Sequence, residues 1–225
     1  MTELEGFMRV VALVVLTLVP IVNPTGVAPI FLSMTPGASP ATRRLLARKI
    51  GINIVLLLAS AMFIGSHILG FFGLSLAVVK IAGGMLVIAN GWRLLSADST
   101  PDAPPVHAEP AWGTEQIASR AFYPLTFPLT VGPGSISVAV TLGARSGSTA
   151  ISTIVFMIGA VAGIVVVGLL AYLSFRYAAE VVRRLGSTGT VILLRLSAFI
   201  LVAIGVEIFC SGLVERFPSL MVPAK

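Results

Sequence analysis

Pro20-Ile21-Val22-Asn23-Pro24-Thr25-Gly26-Val27-Ala28-Pro29 lies early in the chain, and Pro128-Leu129-Thr130-Val131-Gly132-Pro133-Gly134-Ser135 lies in its second half. Each interrupts an apolar run that otherwise reads as a membrane-spanning helix. Proline removes a backbone donor and glycine tolerates open backbone conformations. Backbone facing lipid cannot stay unpaired, so a break inside a span survives only where protein or a water-filled cavity satisfies it. Two such breaks in matching places of two halves are the pattern of a transporter's binding site.

The surrounding composition supports the membrane reading. Of 225 residues, 56% are hydrophobic and 11% charged, where a soluble domain carries about 25% charged residues. No Asp, Glu, Lys or Arg occurs in Val10–Thr42, Ile50–Val79, Ala121–Ala144 or Ser146–Phe175, and about 20 apolar residues suffice to cross a bilayer. The expected fold class is an all-α polytopic membrane protein. The net charge of +6 is spread over helix ends rather than gathered in a patch, so no nucleic acid is expected. The single Cys210 excludes an internal disulfide and a CxxC metal site. Met1–Arg9 lacks a basic n-region, and the apolar run after it is too long for a signal peptide. No H-E-x-x-H, acidic cluster, P-loop or Ser/Cys–His arrangement is present, so neither enzyme chemistry, a metal nor a cofactor is expected.

Six spans are expected: Phe7–Met34 broken at Asn23–Gly26, Ile50–Leu69, Leu74–Leu95, Ala121–Ala144 broken at Gly132–Gly134, Ala150–Phe175 and Thr190–Leu213. Residues 1–96 form the first repeat and 121–225 the second. A polar linker over 97–120, with Pro101-Asp102-Ala103-Pro104-Pro105, joins them. Three spans per half send the second half in from the opposite side, giving an inverted 3+3 repeat with spans 1 and 4 broken near the midplane. The halves also match in span 3, with Lys80 before Gly83-Gly84, and span 6, with Arg195 before Ser197-Ala198. One set of connectors holds nine basic residues (Arg43, Arg44, Arg48, Lys49, Arg93, Arg120, Arg176, Arg183, Arg184) and the opposite side four (Arg9, Arg145, Arg216, Lys225). The richer side is expected in the cytoplasm, with both termini outside.

The candidate site comprises Asn23, Pro24, Thr25 and Gly26 from the first break and Gly132, Pro133, Gly134 and Ser135 from the second. A half-helix starting at Pro24 or Pro133 would aim free N–H groups at an anion, while the preceding half would offer carbonyls to a cation. Asn23, Thr25 and Ser135 add side-chain donors and acceptors. A pair of breaks therefore suits a zwitterion such as a small amino acid. The bland alternative is a pair of packing kinks. Lys80 and Arg195 lie within spans, where charges usually face a cavity; they contact solute or break, or they snorkel or pair structurally. Glu207 either carries a proton or pairs with a base of another helix, or lies at the interface because span 6 ends early. Asn53 and Asn90 read as ties between helices, and His67 as a residue near a span end. Asn23→Leu and Ser135→Leu are expected to abolish solute binding without unfolding the protein.

Asn23-Pro24-Thr25-Gly26 followed by Ala28-Pro29-Ile30-Phe31-Leu32 resembles the first motif of the MarC family of bacterial inner-membrane proteins. Phe122-Tyr123-Pro124-Leu125-Thr126-Phe127-Pro128 with Gly132-Pro133-Gly134-Ser135-Ile136 resembles its second. The resemblance covers nearly the whole chain outside the linker. It implies a six-span protein of the inner membrane, related to amino-acid exporters of the LysE type, some members being assigned to neutral amino-acid transport. The family's first motif more commonly opens with Asp-Pro, so Asn23 removes a charge, and Glu207 stands where a neutral or amide residue is more usual. The expected function is secondary transport, including export, of small polar solutes such as neutral amino acids. A passive channel and a non-transporting structural or stress-linked protein are the alternatives. The expected partners are a small-molecule solute and the lipid bilayer, with a homo-oligomer left open.

Overall fold

The computed structural model describes residues 3–96, 114–144 and 150–218. It is helical: α1 (Glu3–Val22), α2 (Pro24–Ser33), α3 (Pro40–Phe71), α4 (Leu76–Ser96), α5 (Thr114–Arg120), a π-helical turn (Ala121–Thr126), α6 (Pro133–Gly143), α7 (Ala150–Arg176) and α8 (Ala178–Arg216). Among the described residues, five segments are long and apolar enough to cross a membrane: Glu3–Ser33, Pro40–Phe71, Leu76–Ser96, Thr153–Arg176 and Ala178–Arg216.

The fourth expected span takes a different form. It starts earlier, as α5 at Thr114 within the expected linker, and passes through the π-helical turn with Tyr123 extended at φ −118°, ψ 125°. The peptides preceding Pro124 and Pro128 are cis. Only the 11 residues of α6 are regular after the break, a length of ~16 Å against a hydrocarbon core of ~30 Å. Proline at positions 124, 128 and 133 explains why no long helix forms. The Pro-rich run 101–105, with Asp98 and Glu109, lies outside the described residues, as do Arg145 and Lys225.

Elsewhere the expected spans are present, α3 and α8 being longer than expected. The basic connector Arg43–Lys49 is itself helical, in the first turns of α3, which Ser39 caps by accepting the Thr42 N–H at 3.1 Å. Helix α8 begins at Ala178 and kinks at Gly186, whose φ of 66° and ψ of −176° suit a residue without a Cβ.

Buried residues recur at helical spacing. Leu46, Ile50, Ile54, Leu58 and Met62 form the inner stripe of α3, and Phe156, Ala160, Ile164, Val167, Ala171 and Phe175 that of α7. The outward faces carry Leu16, Leu56, Ile158, Leu169 and Phe199 in the open, a surface suited to lipid and not to water. Lipid offers no hydrophobic drive for helix association, so close backbone packing takes its place. A Cβ on Gly51 would stand 3.0 Å from the Gly168 carbonyl, and one on Gly168 2.9 Å from the Gly51 carbonyl. Gly84 and Gly205 are related in the same way, at 2.8 and 3.1 Å. The first pair joins α3 to α7 and the second α4 to α8, which run antiparallel because Gly91 meets Ala198 and Val202 while Gly212 meets Ala77 and Ile81.

Candidate functional site

The first break is a left-handed residue. Asn23 has φ 47° and ψ 53°, a region that asparagine tolerates better than most side chains. Its N–H still closes α1 on the Val19 carbonyl at 2.8 Å, and its carbonyl opens α2 by accepting from Val27 at 3.0 Å. Pro24 lacks the N–H that an unbroken helix would return to Pro20. The Gly26 N–H donates to Asn23 Oδ1 at 3.1 Å, inside the protein. An atom accepting from an N–H must be the amide oxygen, so this bond fixes which way the amide faces. The other amide atom, Nδ2, is buried without a hydrogen-bond partner. Gly26 is what leaves room for this fold-back, since a Cβ there would stand 2.5 Å from Nδ2 and 2.6 Å from Oδ1.

The second break ends in an open helix start. Gly132, at φ −93° and ψ 178°, is the N-cap of α6 and supplies no side-chain cap; Pro133 follows at the first helical position. Its carbonyl accepts from Ile136 at 3.1 Å. The first-turn donors, Gly134 N–H and Ser135 N–H, thus have no capping side chain, and they sit at the positive end of the helix dipole. Ahead of the break, Thr126 and Thr130 turn their hydroxyls back onto the carbonyls of Ala121 and Leu125 at 2.6 and 2.7 Å. These bonds satisfy irregular backbone that lipid would not.

The two breaks meet. One cavity of about 40 Å³ is lined by Asn23 from the first and by Pro128, Thr130, Gly132, Gly134 and Ser135 from the second. Val87, Asn90, Leu94 and Leu201 close it from α4 and α8. Asn90 Nδ2 stands 3.5 Å from where a Gly132 Cβ would be. Among the described residues, no charged side chain lines the cavity. Its polar lining comes from Asn23, Asn90, Thr130, Ser135 and the start of α6. A cavity needs ~10–15 Å³ to hold one water, so the space shown fits a few waters or one carboxylate group and not a whole amino acid.

The other expected site residues stand elsewhere. Pro24 is buried but does not line the cavity, and Thr25 and Pro133 are exposed. In α2 the Gly26 N–H is already taken by Asn23 Oδ1, so that donor is not free for a solute. Lys80 lies in the first turns of α4 and forms an ion pair with Glu215 of α8, away from both breaks. Arg195 and Glu207 are exposed on α8 and do not line the cavity. Asn53 Nδ2 donates to Thr126 Oγ1 at 3.4 Å, a tie between α3 and the π-helical turn. Ser137 Oγ ties α6 to α4 through the Val79 carbonyl at 2.7 Å. Asn90 is the cavity residue that reading by type undervalued. Its spacing from Val87 and Gly83 puts it on the buried side of α4, which was the available signal.

Comparison with known proteins agrees with this architecture. A family model described as MarC family integral membrane protein matches residues 8–217. A UPF0056 membrane protein of Archaeoglobus fulgidus is 32% identical over 204 residues, covering 91% of this chain and 92% of that one. The UPF0056 membrane protein YhcE of Escherichia coli is 31% identical, covering 89% of this chain and 90% of its own. The UPF0056 inner membrane protein MarC of Escherichia coli is 28% identical, covering 92% and 95%. No solved structure matches the chain. With a matched segment that runs from the first turns of α1 to the end of α8, the chain belongs to the MarC family of integral membrane proteins.

Proposed function

We propose that this protein is a secondary transporter of small polar solutes such as neutral amino acids, and that the cavity between the breaks receives the solute's carboxylate. The carrying observation is Asn23: it lines a cavity that also receives the uncapped start of α6, and its Nδ2 is buried without a hydrogen-bond partner among the described residues. Leaving such a donor unsatisfied costs ~1–3 kcal/mol. A carboxylate would accept from it and from Gly134 and Ser135 N–H together, and would sit favourably on the helix dipole. The Pro20 carbonyl at the end of α1, which Pro24 leaves without its helical donor, suits the ammonium end. No acidic side chain lines the cavity to compete for the donors.

The reciprocal approaches of Gly51 with Gly168 and of Gly84 with Gly205 support a two-fold relation between the halves. So does the pairing of α1 with α7 and of the π-helical turn with α3. In this reading the chain is an inverted 3+3 repeat in which α5, the π-helical turn and α6 together make the fourth of six spans, and the breaks lie near the midplane. Rocking of one repeat against the other opens the cavity to each side in turn. The small size of the cavity favours this over a continuous pore. The basic connectors face the cytoplasm and both termini lie outside.

Uptake of labelled glycine and alanine into proteoliposomes, with and without a proton gradient, tests the proposal. Saturable, protein-dependent uptake is expected. Folded protein that moves neither solute under either condition contradicts it.

A further inference from the structure

The two basic connectors, far apart in sequence, meet in space. The end of α2, the first turn of α3 and the junction of α7 with α8 enclose a second cavity, of about 190 Å³. Arg43, Arg44 and Arg176 stand on its walls, Leu32 and Phe175 give it apolar surface, and no acidic residue among the described ones lines it. Glu180, the acid of the second connector, is already engaged by Arg184 Nε at 2.7 Å and by Arg183.

Two of the three arginines are held in place. Arg43 Nη2 donates to the Thr35 carbonyl at 2.9 Å, while its Nε is buried without a partner. Arg176 Nη1 donates to the Tyr172 hydroxyl at 2.7 Å. The same guanidinium lies over the rings of Tyr172 and Tyr177, 5.7 and 5.2 Å from their centroids. Beneath the apolar side, Phe175 stacks on the buried Phe31 with centroids 5.1 Å apart. Three cations around one hollow repel one another until an anion joins them. Guanidinium forks match the oxygens of phosphate, and preorganised forks lose little entropy on binding. A bare phosphate would leave the apolar side of the cavity unused; a phosphate carrying a glycerol and the start of an acyl chain would cover it. Basic pockets between helices at a membrane surface recognise lipid headgroups on these grounds.

We infer that this cavity binds a phosphate, carried in by an anionic phospholipid. The purified full chain in detergent is titrated with short-chain phosphatidylglycerol, phosphatidylcholine or inorganic phosphate, with thermal unfolding as the readout. Phosphatidylglycerol is expected to raise the melting temperature saturably, and phosphatidylcholine is not. Replacing Arg44→Gln with Arg176→Gln should weaken half-saturation by about ten-fold or more, since each charge-assisted bond is among the strong ones. Arg183→Gln with Arg184→Gln, the same loss of charge from the same region but outside the cavity, should change it by less than about two-fold. If the first pair does not fold, Arg176→Lys keeps the charge without the planar fork and should weaken binding on its own. Inorganic phosphate that saturates alone and displaces the lipid keeps the arginine site but makes free phosphate its ligand. Equal losses in both double variants, or a shift with phosphatidylcholine as large as with phosphatidylglycerol, would overturn the inference.

Discussion

Asn23 Oδ1 accepts the Gly26 N–H at 3.1 Å across the break in the first span. That bond closes the start of α2, holds the left-handed turn in register and leaves Nδ2 as the unpaired donor of the central cavity. One side chain thus serves both the backbone and the site.

This double role separates two substitutions. Asn23→Leu loses the cap, worth ~1 kcal/mol, and forces a bulky residue into the left-handed region, at ~1–2 kcal/mol. Asn23→Gly keeps the backbone conformation and costs a few tenths of a kcal/mol as a cap. The structure therefore replaces the expectation that Asn23→Leu leaves folding intact. In thermal unfolding the glycine variant should stay near the natural protein and the leucine variant should melt clearly lower. Equal melting temperatures would contradict the strained cap.

Gly26→Ala adds a Cβ 2.5 Å from Asn23 Nδ2, so the amide must swing away. The expected result is loss of the cap, about 1 kcal/mol of stability, together with loss of solute binding, although residue 26 does not line the cavity. Binding that survives alongside the drop in melting temperature would show that the amide's position does not matter to the solute.

The reciprocal glycine pairs predict a stability effect remote from the site. Gly84→Val and Gly51→Val each drive a side chain into the facing backbone, 2.6 Å from Phe209 N in the first case and 3.0 Å from the Gly168 carbonyl in the second. Overpacking of this kind costs ~1–3 kcal/mol or more. Yields of folded protein by size-exclusion chromatography should fall for both, whereas Ala82→Val, on an exposed position of α4, should not lower them.

Lys80 and Glu215 should prove structural. Their ion pair joins the ends of α4 and α8, and the Glu215 side chain is 45% exposed, so a double-mutant cycle of Lys80→Met and Glu215→Gln should give under about 1 kcal/mol. Solute binding should be unchanged in both single variants. A loss of binding in Lys80→Met at unchanged stability would return Lys80 to the site.

Much of this was legible in the sequence because membrane helices announce themselves by length and charge. The first break was legible only in part: Pro20 and Pro29 run on inside α1 and α2, and the break falls at the left-handed Asn23 before Pro24. The fourth span was harder. Three prolines within Pro124–Pro133 identify a break but not the π-helical turn or the extended Tyr123, which depend on the carbonyls that Thr126 and Thr130 find. Which residues face the cavity was only half visible. Thr25 and Ser135 look equivalent by type, yet the turn at Asn23 exposes one and the start of α6 buries the other. Lys80 resembled a site cation until helix pairing brought Glu215, from the far end of the chain, against it.

The central claim is that the Asn23 amide donates to a carboxylate bound between the two breaks. Asn23→Asp exchanges one atom, Nδ2, for an oxygen, and its carboxylate still accepts the Gly26 N–H, so the cap and the fold should persist. Equilibrium binding of labelled glycine is the direct measurement. An unchanged melting profile with affinity reduced by at least about ten-fold is expected, since the charge-assisted bond from Nδ2 is lost. Glycine binding by Asn23→Asp that matches the natural protein would contradict it.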